Sequence, residues 1–318
     1  MMQTLKSLFF CVAAVIFLVG CASDQYLPTD ISGYARVDQG KLFYKRIGSG
    51  EPILVVHGGP GLDHTYLLPQ MLELAKDHEL IFYDQRGSGK SLDAVLDQQY
   101  VTIEQFTKDL EDVRGALGID KVILMGHSWG ALLCIPYALH YPQHVSKLIL
   151  LNPAPADYKG WQEFEGELNK KLEPIKPKIA SFFDPKEFEK LKAQEIQEVY
   201  RNLFSVYFAD PHKTRYLTLD MTRESAISGH KVLMGMLTYS VMIPKFTLFS
   251  ALLRLKVPTL VICGNQDAVP ASTVQDIKKS MPSAEIVPLQ NCGHFPFIEQ
   301  PNQLFETIRD FLQEGSSF

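Results

Sequence analysis

Residues 122–130 read Val-Ile-Leu-Met-Gly-His-Ser-Trp-Gly, and this stretch decides the fold. The apolar run 122–125 has the length and character of a strand covered on both faces, and residues 129–140 that follow suit a helix. Between them Gly126-His127-Ser128-Trp129-Gly130 has G-x-S-x-G spacing. A strand that turns directly into a helix at a serine holds that serine in a strained backbone conformation, so its neighbours two residues away must be small. The turn lifts the hydroxyl clear of the sheet at a helix N-terminus, the context this motif requires of a nucleophile. Ser128 is therefore the candidate nucleophile, and the competing reading is a plain glycine-rich turn.

Outward from this turn the chain alternates strand and helix. Residues 34–47 read as a hairpin turning at Asp38-Gln39-Gly40. Runs 53–56, 80–83 and 145–151 read as buried strands, with helices expected over 66–76 and over 102–117, the latter capped by Thr102. Residues 153–250 carry no strong strand signal, are rich in Lys, Glu, Phe and Tyr, and read as a helical insertion. The rhythm returns with strands near 257–263 and 284–288 and helices near 271–281 and 301–313. The expectation is an α/β fold: a mostly parallel sheet with helices on both faces, a core of residues 33–152 and 251–318, and a helical cap, 153–250, inserted after the sixth strand.

A serine hydroxyl is a weak nucleophile without a base. Asp267 ends the apolar strand in VICGNQD, and His294 follows another strand in NCGHFPF. Both fall where a strand's C-terminal end opens into a loop, the site-forming edge of such a sheet. Asp267 would fix the imidazole tautomer of His294, which would take the Ser128 proton and return it to the leaving group. The competing reading of Asp267 is a helix cap or turn residue, with Asp157 as the rival acid, and that of His294 is a loop histidine satisfied by backbone. Directly after strand 53–56 comes His57-Gly58-Gly59-Pro60-Gly61. A developing oxyanion requires two N–H donors aimed at one point. Trp129, following the nucleophile, should supply one. Pro60 cannot donate, so Gly59 should supply the other, and His57 reads as a residue that orders its loop.

Together these segments resemble the α/β-hydrolase fold. Within it, HGGPG, YDQRGSGKS (83–91), GHSWG and GNQD…NCGHFPF resemble the proline iminopeptidase family, over about residues 33–152 and 251–318. The resemblance implies removal of an N-terminal residue, often proline, from small peptides through an acyl-enzyme, with no metal or organic cofactor. Asp84 and Arg86 are expected to brace loops. Family members meet the substrate ammonium with acidic residues from the cap and, in some, with one directly after the catalytic Asp. Here that position is Ala268, a departure from the pattern. Glu163, Glu165, Glu167 and Glu224 are the cap candidates, with Glu224 favoured by position, and Trp161, Phe164, Phe204, Tyr207 and Phe208 would either line a pocket or pack a core. Three rivals stand beside the aminopeptidase: a carboxylesterase or amidase with the same triad, a lyase using the residues as acid and base, and a non-enzymatic binding lipoprotein. A serine at the turn, rather than aspartate, argues against dehalogenases and epoxide hydrolases.

The chain has 318 residues, is 46% hydrophobic and 21% charged, and carries a formal charge of −5. That balance suits a globular protein with a substantial core and argues against a nucleic-acid binder. Lys6 precedes the apolar run 8–19, LFFCVAAVIFLV, too short to span a bilayer comfortably and matching a secretory signal. It ends in Leu18-Val19-Gly20-Cys21, which resembles the lipobox of bacterial lipoproteins. This implies a signal over 1–20, a lipidated Cys21, a tether over 21–32, and attachment to a membrane of the cell envelope, the periplasmic face of the outer membrane being favoured by Ala22. Cys134, Cys263 and Cys292 match no zinc spacing. Cys134 reads as a core residue, and Cys263 could pair with Cys292 only if their strands are neighbours, a free thiol beside His294 being the default.

Overall fold

The computed structural model describes residues 29–313, so the predicted signal, Cys21 and the last five residues lie outside it. Eight strands form one sheet in the order β1-β2-β4-β3-β5-β6-β7-β8. The strands are β1 (Thr29–Val37), β2 (Gly40–Gly48), β3 (Pro52–Val56), β4 (Glu79–Tyr83), β5 (Val122–His127), β6 (Val145–Leu151), β7 (Thr259–Gly264) and β8 (Glu285–Leu289). β2 runs antiparallel to β1 and β4, and all other pairings are parallel. Residues 29–32 are therefore strand and not tether: Thr29 pairs with Gly48 and Ser32 with Lys45 in the β1–β2 ladder, and Lys45 Nζ bonds the Asp30 carboxylate.

The continuous apolar runs are explained by burial on both faces. Leu54, Val56, Ile81, Tyr83 and Leu124 enter one core, and the alternating Ile53, Val55, Leu80, Phe82, Ile123 and Met125 enter the other. The longer helices are α1 (Ile103–Ala116), α2 (Trp129–His140), α3 (Tyr158–Leu172), α4 (Ala193–Ser205), α5 (Arg223–Met236), α6 (Ala271–Ser280) and α7 (Pro301–Gln313). Thr102 caps α1 as expected, its hydroxyl accepting from the Gln105 N–H at 3.1 Å. The helix expected over 66–76 is instead broken into short turns, His64–Tyr66, Leu68–Met71 and Leu74–Lys76. Pro69 has no N–H to give Thr65, and at Glu73, Ala75 and Asp77 the bonds tighten to i→i+3.

Residues 153–250 lie between β6 and β7, carry α3, α4 and α5, and cover the C-terminal edge of the sheet. Leu172, Tyr200 and Leu203 of this insertion share one core with Tyr66, Phe295 and Phe297 beneath it. Among the described residues no helix is long and apolar enough to cross a membrane.

Candidate active site

Loops following β3, β5, β6, β7 and β8 meet at the C-terminal edge. Ser128 sits between β5 and α2 at φ 57° and ψ −120°, a conformation L-residues rarely adopt. The flanking glycines have a direct reason. A Cβ on Gly126 would stand 2.4 Å from the Gly130 carbonyl oxygen, and one on Gly130 would stand 2.2 Å from that of Val56. The serine carbonyl accepts from the Leu132 N–H at 3.1 Å and the Ala154 N–H at 3.1 Å, tying the turn to α2 and to the segment after β6.

His294 is buried, and its Nδ1 lies 2.9 Å from each carboxylate oxygen of Asp267. Two further groups hold that carboxylate. Asn152 Nδ2 donates to Oδ2 at 2.6 Å and the Val269 N–H donates to Oδ1 at 3.0 Å. Asn152 also donates to the Gly293 carbonyl at 3.0 Å and itself takes φ 45°. With Nδ1 committed to Asp267, Nε2 is the imidazole nitrogen left for proton exchange, and His294 and Ser128 line the same cavity. The rival acid, Asp157, caps α3 by accepting from the Gly160 N–H at 2.8 Å.

In the loop after β3 the Gly58 N–H is spent on Tyr66 Oη at 2.7 Å and Pro60 has none, so Gly59 is the glycine at the cavity wall with an N–H to offer beside that of Trp129. His57 orders this loop. The Gln85 N–H donates to its Nε2 at 2.9 Å, so the proton sits on Nδ1 and goes to the Gly58 carbonyl at 2.8 Å. Burial pushes its pKa down to about 4, which keeps it neutral. The Gln85 side chain clamps the His57 carbonyl at 2.6 Å and accepts from the Trp129 indole at 3.0 Å.

His127, the variable residue of the motif, joins three loops. Tyr66 Oη accepts from Gly58 and donates to His127 Nδ1 at 2.7 Å, and His127 Nε2–H donates to the His294 carbonyl at 2.7 Å. Burial holds the His127 pKa well below the usual histidine range, so a neutral ring with one donor and one acceptor fits both bonds. On the opposite side Glu299 accepts from the Gly293 N–H and the Ala209 N–H, each at 2.8 Å, and the His294 N–H donates to the Tyr207 carbonyl at 2.8 Å. These bonds tie the His294 loop to the inserted helices.

Asp84 and Arg86 brace loops as expected. Asp84 accepts from His64 Nδ1 at 2.7 Å and from the Lys90 N–H at 2.9 Å. Arg86 forks onto Asp109 at 2.9 and 2.7 Å and also bonds the Asp38 carbonyl. Neither is in the cavity wall. Cys263 and Cys292 lie on and after neighbouring strands and are both free thiols, as is the buried Cys134.

The cavity between loops and insertion measures about 400 Å³. Trp161, Phe164, Phe204 and Tyr207 line it, while Phe208 instead stacks on Phe295 with ring centres 4.6 Å apart. Glu224 is not brought to the site: it lies exposed in the first turn of α5, outside the cavity wall. Glu163 and Glu167 are likewise exposed and outside the wall. Glu165 on α3 is the carboxylate that the lining contains among the described residues, at its exposed rim. Ala268, after Asp267, is buried.

Sequence reasoning missed Asn152, Gln85, Tyr66 and Glu299. Each acts through a bond to a residue distant in the chain, and neither type nor spacing advertises such a bond.

A family model described as alpha/beta hydrolase fold matches residues 51–301. The proline iminopeptidase of Saccharolobus solfataricus is 30% identical over 292 residues, covering 89% of this chain and 92% of that protein. Among solved structures, the proline iminopeptidase of Mycobacterium smegmatis superposes with a TM-score of 0.64 at 21% identity, covering 89% of this chain and 98% of that one. The enol-lactonase of Burkholderia xenovorans LB400 gives 0.62 at 23% identity, covering 89% and 100%. At such identities the structures speak to the fold alone, whereas the family match and the sequence relative go further: this chain belongs to the α/β-hydrolase fold family and groups there with the proline iminopeptidases.

Proposed function

We propose that this hydrolase releases the N-terminal residue of small peptides through an acyl-enzyme on Ser128. The observation that carries this reading is the sequence relationship along nearly the full length of a proline iminopeptidase. The Ser128 oxygen attacks the carbonyl carbon while His294 Nε2 takes the hydroxyl proton. Asp267 holds the ring and stabilises the imidazolium. The N–H groups of Gly59 and Trp129 receive the oxyanion, worth about 10²–10³-fold per donor in such sites. Collapse expels the amine with the proton from His294, and water repeats the sequence to free the acid. For a free α-amine the partner in the wall is Glu165, in place of Glu224.

A specific observation favours a second reading, a carboxylesterase or amidase. The wall is largely apolar, with Ala268 where some family members carry an acid, and burying an ammonium without a carboxylate is costly. One experiment separates the two. Prolyl, alanyl and leucyl arylamides are compared with their N-acetyl forms and a p-nitrophenyl ester, with Ser128→Ala as control. The aminopeptidase predicts turnover of free-amine arylamides that acetylation abolishes and a raised KM for them in Glu165→Gln. Ester turnover alone establishes the second reading.

The N-terminal sequence supports a lipid anchor at Cys21 on an envelope membrane. Cys21 lies eight positions before Thr29, a reach of at most about 28 Å, so the hydrolase would work close to the lipid surface. Labelled palmitate incorporated into the wild type and absent from Cys21→Ala is the expected result. Equal labelling, or none in either, removes the anchor.

A further inference from the structure

We propose that the side chain or acyl chain held on the acyl side of the scissile bond is a large apolar body rather than a prolyl ring or a small side chain. The inference rests on the proposed roles of Ser128 and His294 but not on whether the leaving group is an amine or an alcohol.

Three observations carry it. The first is size. A volume of about 400 Å³ lies in the range of cavities that enclose drug-sized ligands, so a proline ring would leave most of it unfilled. The second is chemistry. Trp161, Phe164, Leu203, Phe204, Met234 and Leu237 face this space from the inserted helices. The polar members supplied by those helices, Glu165, Asn169 and Thr238, are exposed at its rim, apart from the half-buried or buried tyrosines 200 and 207. Nearer the reacting serine, Tyr66 Oη and both ring nitrogens of His127 are spent on one another, on Gly58 and on the His294 carbonyl. Away from the rim these helices offer the unpartnered Trp161 indole N–H and the hydroxyls of Tyr200 and Tyr207, so a charge there would lose its hydration and meet no opposite charge, whereas hydrocarbon would gain by displacing water. The third is topology. In a peptide the part beyond the scissile bond is open-ended and must leave the site. A bounded cavity suits the bounded part, which is the acyl group.

The shared chemistry has two sources: an aromatic or branched side chain on an N-terminal residue, or an acyl chain of medium length in an ester. Two substrate series distinguish them, measured as kcat/KM with the full chain in detergent. One series is alanyl, prolyl, leucyl and phenylalanyl arylamides. The other is p-nitrophenyl esters from acetate to decanoate. In whichever series is turned over, kcat/KM should climb with apolar size, by about four-fold for each added methylene until the cavity is full. A rise in the esters with no arylamide turnover keeps this proposal and removes the aminopeptidase. A preference for prolyl or alanyl arylamides, or for acetate, overturns it while leaving the aminopeptidase or esterase reading standing. Turnover of neither series overturns both. Met234→Trp, which takes up cavity space, should cut the ratio of decanoate to acetate turnover by ten-fold or more. A rising series whose ratio ignores that substitution reflects detergent partitioning and overturns the proposal.

Discussion

Ser128 concentrates the conflict between folding and chemistry in one residue. Its φ of 57° with ψ −120° costs on the order of 1–3 kcal/mol, a strain that buys an exposed hydroxyl at a helix N-terminus. Glycine relieves that strain, so Ser128→Gly should abolish hydrolysis yet raise Tm by about 2–4 °C per kcal/mol recovered. Calorimetry of both forms decides it, and a lowered Tm would show that the turn is unstrained. At Asp267, substitution by Asn keeps the shape but offers an amide where His294 Nδ1 requires an acceptor. Its kcat should fall by about 10³–10⁴-fold with little change in Tm. A fall below ten-fold would remove Asp267 from the triad.

At the scale of elements, the site is assembled by loops that bond one another. The chain from Gly58 through Tyr66 and His127 to the His294 carbonyl joins the loop after β3, the turn after β5 and the loop after β8. Tyr66→Phe removes one oxygen and leaves the Gly58 N–H and His127 Nδ1 without partners in a buried site. Each such group costs about 1–3 kcal/mol. The expected outcome is a loss of stability of that order in urea melts and a lower kcat with KM little changed, since the hydroxyl aligns catalytic loops while the ring that lines the cavity is kept. An unchanged kcat would show that the loops are held without it. Packing is equally strict at the turn. Gly130→Ala would force a Cβ to 2.2 Å from the Val56 carbonyl oxygen, so we expect a cost of about 3 kcal/mol or more, read as a lower urea midpoint.

At the scale of the whole molecule, buried groups beside the site push the acid response in opposite directions. The His57 pKa is pushed down to about 4 from an ordinary 6.5, first by burial. Between these values the unfolded chain takes a proton that the folded chain refuses, so stability present above pH 6.5 is lost as pH falls to 4, on the order of 3 kcal/mol. His127, also depressed by burial, acts in the same sense. Asp63 opposes them. Burial, and then the Asp84 carboxylate, raise its pKa to about 6 from 3.8. Here the folded chain takes the proton first, so this contribution is complete below 3.8 and is lost as pH rises through 6. Asp63 therefore offsets part of the loss of Tm that the histidines impose between pH 6.5 and 4. Asp63→Asn removes the opposing group while keeping an acceptor for Thr65. It should raise Tm at pH 7.5 and steepen the acid slope, and identical profiles for the two proteins would show that Asp63 carries no such linkage.

The amino-acid sequence alone determined the alternation of buried strands and helices, the serine turn and the position of the inserted helices. These are written in local signals: apolar runs of strand length, glycines flanking Ser128, and the sudden absence of strand pattern after β6. It also pointed to Asp267 and His294, because each follows an apolar strand, and the structure brings their side chains together. The first strand was misread as tether from 29 to 32 because an edge strand with one exposed face has little apolar pattern to show, and the helix over 66–76 was misread because its ladder breaks at Pro69 and tightens to i→i+3 bonds at Glu73, Ala75 and Asp77. What only the tertiary structure decided was the supporting cast and the cavity wall. Asn152 is a loop residue by type, Glu299 an ordinary carboxylate, and Glu165 one of several on α3. They reach their places only because folding carries them to partners more than a hundred residues away in one case, ninety in another, and to a particular side of a cavity in the third. Periodicity tells which face of an element is buried. It does not tell which loop that face will meet, and at this site the meeting of loops is what makes the chemistry.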